Sequence, residues 1–531
     1  MVTTAFALAI LALCFLLSRQ VWFRLDVTRD GINTISRVSR DLHLEIAEQA
    51  QITYFISERL RAMHPLPGEV EDFLREYVGF SRGRMRLSVV DPARAGMSAE
   101  VESLGIAPWQ IPMMEQGSAS ILTVYSGITI EYLGDIAVMP LVVSLETLEY
   151  DLTSRIRALA RGAPRAAGIL LTDPRAWEEN FRHLSAALEQ AGYRTVFVAP
   201  GAEIPAGLSA LIVIDGVETL DDLALFQIDR FIRGGGSALF AARAVGVDAR
   251  GGMEARALYD RGLLAMLASY GAILSPEIVM DEAALVMRFQ EIADDGSAQI
   301  RSAPNFQWIR AMPEYASLAH PLGAGFAGLD LYWANPITLA PPYGIRAEPL
   351  FTTTPAAWTM REPFFASPEL AYMMERDAPQ TALGRRILGA SLAGIFPSWF
   401  EDRPLPDGAQ GLEAVEARPA RIVVIGETEF ASSFLFVTDA LHNLNFVVQA
   451  VDWLGNDDDI VAIRARAPGL GRLDRIADPA SRDAAMRFAR AINVFVVPIL
   501  VIIAGAFFSF RRKALARLRS GERESDGEGA P

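Results

Sequence analysis

Lysine is all but missing from this chain of 531 residues: Lys513 is the only one, and every other cationic residue that is not histidine is arginine. A Walker A loop needs a lysine after a glycine-rich turn to hold the β- and γ-phosphates of a nucleotide. Nothing upstream of Lys513 supplies one, so direct ATP binding of that kind is excluded, as is lysine-based Schiff-base chemistry. Cysteine is equally scarce. Cys14 stands alone, which leaves no intrachain disulfide and no cysteine-rich metal site. The five histidines, His43, His64, His183, His320 and His442, are scattered without the His-x-x-x-His spacing of a zinc-binding helix. Positive charge is short as well. Against 64 Asp and Glu there are 49 Lys and Arg, a net charge of −15, and phosphate backbones demand a basic face. Nucleic acid is therefore excluded as the main partner.

Catalytic motifs are also wanting. Gly79-Phe-Ser-Arg-Gly83 has the letters of a nucleophile elbow but runs from a helix into a strand, the reverse of what such an elbow needs. Gly234-Gly-Gly236 follows a helix and precedes a strand, so it reads as a helix stop and not as a phosphate cradle. Asn456-Asp-Asp-Asp459 lacks the alternating ligand spacing and closing glutamate of a calcium loop. Asp91, Glu149 and Asp151 are acid–base candidates that nothing in the sequence brings together. The sequence carries no sign of an enzyme, of a cofactor or of a metal.

What the chain does have is apolar sequence. Hydrophobic residues make up 51% and mean hydropathy is +0.22, high for a soluble protein and too polar for a multi-pass channel. Ile492–Phe510 carries no charge and, as a helix, reaches about 28 Å, close to a bilayer's hydrocarbon thickness. Arg511, Arg512, Lys513, Arg517 and Arg519 follow it, the basic flank of a cytoplasmic helix end. Val2–Leu17 is a second apolar run. It lacks a basic lead and a small-x-small cleavage site, so it reads as an uncleaved anchor in preference to a signal peptide. These runs predict a transmembrane helix over 1–20 and another over 491–510. They predict a two-pass protein of a bacterial inner membrane, both termini cytoplasmic, the bulk extracytoplasmic, and a basic and acidic tail over 511–531.

Between the runs the pattern is α/β. Ile52–Ile56, Met85–Val90, Ser120–Ile130 and Ile136–Val143 read as strands, and Val70–Phe80 and Leu145–Arg161 as amphipathic helices. Together they predict a small N-terminal α/β domain over 24–160. After the linker at Arg161–Arg165 the strands become continuous apolar runs: Ala167–Leu171, Arg194–Val198, Ala210–Ile214, Ser237–Ala241 and Ile422–Ile425. With helices over Ala176–Gly192, Leu220–Arg233 and Leu435–Leu454, this predicts a doubly wound parallel sheet, flavodoxin-like or amidotransferase-like, over 166–475. A large insertion, rich in proline and aromatics, occupies about 245–420. Such sheets bind ligands at the carboxyl ends of their strands, here near Asp173, Pro200, Asp215 and Ala242. An amidotransferase-type mechanism would need a cysteine nucleophile, which Cys14 cannot be.

Several short motifs occur in one order along the chain. Arg24-Leu-Asp-Val-Thr28 follows the first apolar run. Val89-Val-Asp-Pro92, Val124-Tyr-Ser-Gly-Ile-Thr-Ile130 and Leu148-Glu-Tyr-Asp-Leu-Thr-Ser154 come next, then Arg421-Ile-Val-Val-Ile-Gly426, Asn445–Gln449, Asp452-Trp-Leu454 and Ile460–Arg464. With the two terminal runs, this series resembles the GldG-like auxiliary components of ABC transporters, the family named from gliding motility. Gln449 departs from the asparagine expected, and residues 245–420 carry little of the likeness. The resemblance implies an extracytoplasmic domain related to the N-terminal domain of an intraflagellar transport protein. It implies as partners an ABC permease subunit, a separate cytoplasmic ATPase subunit and membrane lipid. It yields no catalytic residues. Arg24, Asp26, Tyr125, Glu149, Tyr150, Asp151 and Trp453, drawn from these motifs, are the candidate partner contacts. The expected function is a non-catalytic accessory subunit coupling a permease to a substrate or envelope partner. The aromatics of 300–400 keep open a stand-alone sugar- or peptidoglycan-binding protein, and the doubly wound sheet a hydrolase.

Overall fold

The computed structural model describes residues 35–455, apart from 116–117, 143–144, 146, 163–164, 249–250, 260–261, 293–297, 368–382 and 411–414, together with Ile463. The chain divides into two units, Met1–Ala467 and Pro468–Pro531, and only the first holds described residues.

The N-terminal part runs β1 (Ala50–Ile56), α1 (Leu66–Gly79), β2 (Met85–Val90), β3 (Trp109–Glu115), β4 (Ser118–Val124), β5 (Ser126–Tyr132), β6 (Asp135–Met139) and α2 (Leu148–Arg161). Four of the strands form a mixed sheet in the order β2-β1-β5-β6. β1 pairs parallel to β2 and antiparallel to β5. Val70, Leu74 and Tyr77 recur every three to four residues on α1, and together with Leu148, Leu152 and Ile156 of α2 they bury against Ile52, Tyr54 and Ile130. β3 and β4 form a separate two-stranded ribbon.

The second part opens with β7 (Arg165–Leu170), α3 (Arg182–Gln190), β8 (Tyr193–Val198), β9 (Ala210–Ile214), α4 (Asp222–Arg233) and β10 (Ala238–Ala241). A long excursion follows: β11 (Val245–Val247), β12 (Ala255–Ala257), α5 (Leu263–Tyr270), β13 (Ala272–Leu274), β14 (Ile278–Met280), β15 (Ala284–Ile292), β16 (Ala298–Ala311), β17 (Leu329–Tyr332), β18 (Ile337–Leu339), β19 (Arg346–Thr352), β20 (Trp358–Met360) and β21 (Ile387–Gly394). The chain then returns through β22 (Ala420–Ile425) to α6 (His442–Leu454).

β9 is buried at every position because it lies inside the sheet with helices over both faces, which explains its unbroken apolar run. On one face Leu184 and Leu188 of α3 and Phe446, Val447 and Val451 of α6 pack against Ile169, Ile212 and Val423. On the other, Leu225, Ile228 and Ile232 of α4 and Leu263 and Leu267 of α5 pack against Leu211, Val213 and Phe240. α4 has clear local causes. The Asp221 side chain accepts the Ala224 N–H at 2.8 Å as an N-cap, Arg230 and Arg233 sit in the last turn, and Gly234 ends it.

Two parts of the expected fold are corrected. The sheet is not purely parallel. Five strands, β22-β10-β9-β7-β8, are parallel, but β21 pairs antiparallel to β22, and β18, β13 and β19 extend the sheet antiparallel from there. The excursion after β10 thus donates four strands to the main sheet. The flanking transmembrane helices are the other correction. No helix among the described residues is long and apolar enough to cross a membrane, and the runs over 1–20 and 491–510 lie outside the described residues.

Helix α2 joins the two parts. Its Leu148, Leu152 and Ile156 serve the N-terminal core, while Tyr150 belongs to the core of the large sheet. The Tyr150 hydroxyl donates to Asp452 Oδ2 at 2.5 Å, and the Tyr193 hydroxyl to Asp452 Oδ1 at 2.6 Å. Arg165 faces the same carboxylate at 3.3 Å. One buried aspartate on α6 thereby ties together α2, β7 and β8.

Candidate functional site: the crevice at the carboxyl ends of the parallel strands

Three parallel strands, β9, β10 and β22, end at one place. Asp215 follows β9 directly and takes a left-handed backbone, φ 60°. Beyond β10, Arg243 reaches back so that its Nη2 donates to Asp215 Oδ2 at 2.7 Å. Gly426, Glu427, Thr428 and Glu429 follow β22. Trp333, next after β17, closes the far wall, also with a left-handed backbone, φ 53°. That conformation is costly for a bulky aromatic residue and is held only where the surroundings impose it.

Asn335 ties these loops together. Its Oδ1 accepts the Ala244 N–H at 2.7 Å and its Nδ2 donates to the Glu277 carbonyl at 2.7 Å. Its backbone N–H donates to the Gly426 carbonyl at 2.7 Å. Gly426 has to be glycine, since a Cβ there would sit 2.2 Å from the Asn335 carbonyl oxygen.

The loops line a small pocket, partly open to solvent and bordered by Arg243, Val245, Val247, Tyr332, Trp333, Glu427, Thr428 and Glu429. Behind Trp333 stand Trp308 and Phe434, edge-to-face with it at 5.5 and 5.8 Å. Glu427 is 2% exposed. Its Oε1 accepts the Glu429 N–H at 2.5 Å and its Oε2 the Phe430 N–H at 2.6 Å, so it caps the short turn that carries Glu429. Burial drives the Glu427 carboxyl well above the usual carboxylate range, and the neighbouring Glu429 carboxylate pushes the same way against the backbone donors. The Tyr332 hydroxyl, bonded to Thr438 at 2.5 Å, is likewise raised by burial.

The lining holds charge of both signs and the hydroxyls of Tyr332 and Thr428, but no histidine, cysteine or serine. Among the described residues no three His, Cys, Asp or Glu side chains are grouped to hold a metal ion. The arrangement sets one arginine and two glutamates beside an aromatic wall in a narrow space.

The candidate partner contacts fall elsewhere. Tyr125 is buried and donates to Glu102 Oε1 at 2.6 Å. Glu149 accepts the Ser36 N–H at 2.7 Å, and Asp151 pairs with Arg155 at 3.1 Å. Tyr150 is buried on Asp452. Trp453 is buried between His320, 4.7 Å away, and the Arg421 guanidinium, 4.8 Å away. Arg24 and Asp26, like Asn456–Asp459, lie outside the described residues. Of the positions expected at strand ends, Asp215 is bonded to the crevice's Arg243 and Ala242 is buried next to it in the chain, and neither lines the pocket. Glu427 and Trp333 were missed. The one available signal was Gly426, a glycine directly after an apolar strand.

Fold and crevice define a three-layer α/β body with a small polar pocket at the carboxyl ends of its strands and no nucleotide-phosphate loop of the lysine type. The chain belongs to the family described as an ABC-type uncharacterized transport system, an auxiliary component whose model matches residues 162–450. A second match, over residues 29–131, is to a domain of unknown function. An uncharacterized protein of Borreliella burgdorferi (strain ATCC 35210 / DSM 4680 / CIP 102532 / B31) is 22% identical over 503 residues, 93% of this chain and 94% of that protein. Among solved structures the chain is similar to the mmIFT52 N-terminal domain, at 11% identity over 54% of this chain and 96% of that one, TM-score 0.31. It is also similar to the exo-beta-1,4-mannosidase Op5Man5 from Opitutaceae bacterium strain TAV5, at 11% identity over 75% and 48%, TM-score 0.22. Both scores are too low to carry fold or function across.

Proposed function

We propose that this chain is a non-catalytic accessory subunit of an ABC transport complex. It works beside a permease subunit and a separate ATPase subunit, at the cytoplasmic membrane, with its folded body on the extracytoplasmic side. The observation that carries this reading is the family match over residues 162–450, a span that includes Asp215, Arg243, Trp333, Glu427 and Glu429 of the crevice. One feature supports the division of labour: the chain has no lysine before Lys513 with which to hold a nucleotide's phosphates. The crevice then serves to take up a polar group of the cargo or of a partner.

ATP turnover tests this. The purified full chain alone turns over no ATP. A complex isolated with it does, and replacing Arg243 by alanine, which frees Asp215 and removes the crevice's cation, changes that turnover at least threefold while leaving the complex assembled. Turnover by the isolated chain, or a complex indifferent to Arg243→Ala, contradicts the proposal.

A further inference from the structure

The loop that follows β22 presents apolar side chains to solvent in a fixed arrangement. Phe436, Val437 and Leu441 are 61%, 71% and 50% exposed, while Phe430 and Leu435 of the same loop are wholly buried. The loop is pinned from several directions. The Ser432 hydroxyl accepts the Phe434 N–H at 3.1 Å. His183 of α3 donates through Nε2 to the Ala431 carbonyl at 2.8 Å and stands edge-on to the Phe436 ring at 5.2 Å. Phe434 packs against Trp333, and Thr438 is bonded to Tyr332. Across the crevice stands Tyr259, 80% exposed, directly after Leu258, whose N–H donates to the Ala244 carbonyl at 2.8 Å. Apolar side chains held rigid at a surface serve protein interfaces as anchors, since little ordering entropy is left to lose on binding.

The charge around these side chains is mainly of one sign. Residues 215–221, after β9, hold Asp215, Glu218 and Asp221, residues 426–441, after β22, hold Glu427, Glu429 and Asp439, and neither loop has an arginine or lysine. Residues 242–262 carry four arginines against three acids, but two of those arginines, Arg243 and Arg256, pair with Asp215 and Glu218. Arg182, which begins α3, is outweighed by Glu178 and Glu179 just before it. His183 and His442 flank the loop. Burial holds both below the usual imidazole range, so neither adds positive charge at neutral pH.

From these two observations we infer that the loop Ser432–Leu441 is a docking surface for another protein, bound through a segment that carries arginine or lysine among apolar side chains. Charge makes the selection. An acidic bilayer surface and a nucleic acid both set phosphates against the carboxylates. A second copy meeting this loop face to face sets the same carboxylates against each other, in a chain of net charge −15. A basic segment is instead drawn in and oriented, and its apolar side chains cover Phe436 and Val437. The surface is defined by its chemistry alone and holds whether or not the partner is a transporter subunit.

Photo-cross-linking in native membranes tests this. Full-length chain bears p-benzoyl-phenylalanine in place of Val437, and the peptide it captures is sequenced by mass. The expected result is one linked protein, attached through a peptide that is net basic and contains apolar residues. The same probe in place of Leu318, an equally exposed residue, links no such peptide. Phe436→Ser lowers the yield about tenfold, the loss expected of an interface anchor, and leaves the melting temperature unchanged. Raising ionic strength from about 0.1 to about 1 M, which shortens the screening length from about 10 to about 3 Å, lowers the parent's yield at least threefold. A linked lipid, a linked second copy, a linked peptide that is acidic or neutral, a yield indifferent to Phe436→Ser or to salt, or no link at all overturns the inference.

Discussion

Glu427 shows how a single side chain sets the character of the crevice. It is almost wholly buried, and both its oxygens are spoken for by backbone N–H groups. Burial and the adjacent Glu429 carboxylate raise its pKa above that of the unfolded chain. A group with a raised folded-state pKa contributes stability that is fully present below its unfolded value, about 4.3 for glutamate. That stability is lost as pH rises through the folded value. Glu427→Gln, which cannot ionise, escapes this loss. Its melting temperature relative to the parent should therefore rise by about 2 °C on going from pH 5 to pH 8, as read by thermal denaturation across that range. A difference that is flat with pH would show that burial does not govern this carboxyl. Little of this was legible beforehand, because a glutamate two residues past a strand reads as ordinary loop until the fold closes over it.

At the level of elements, the same helices that were readable from periodicity turn out to be joined by contacts that were not. The spacing of Val70, Leu74 and Tyr77, and of Leu148, Leu152 and Ile156, marks α1 and α2 in the sequence, and the unbroken Ala210–Ile214 run marks β9. Nothing local announces that Tyr150 meets Asp452, 302 residues away. That aspartate is the one acidic residue of its helix and reads as a solvent-facing position until Tyr193 and Arg165 are placed beside it. Breaking a buried charged group's partnership costs about 3–5 kcal/mol. Asp452→Ala should accordingly lower the midpoint of denaturant unfolding sharply, whereas Tyr150→Phe, which leaves the carboxylate its other partners, should cost only about 1 kcal/mol. Equal losses from the two substitutions would contradict the view of Asp452 as the joint between α2 and α6. The strands of the excursion were the least legible elements. β13, β14, β18 and β20 have three residues each, too few to display any period. Gly389 in β21 is dictated by the Phe351 ring, 2.5 Å from where a Cβ would lie.

For the whole molecule, the doubly wound core followed from five apolar strands separated by helices, and its carboxyl-end crevice followed from that topology. What composition could not show was that the excursion after β10 returns to the sheet, converting a parallel core into a mixed one. Two aromatics of that excursion belong to the core. Trp308 and Trp333 are 4% and 3% exposed, Trp333 lining the pocket and Trp308 packing behind it. The apolar runs expected to span a membrane lie outside the described residues, among which no helix is long and apolar enough to do so, and the account of function rests instead on the family match and the crevice. Isolation of the full chain from native membranes in mild detergent, with every co-purifying protein identified by mass, tests that account most directly. The account predicts that an ABC permease subunit and a separate ATPase subunit come with it in fixed proportion. Recovery of the chain with neither would contradict it.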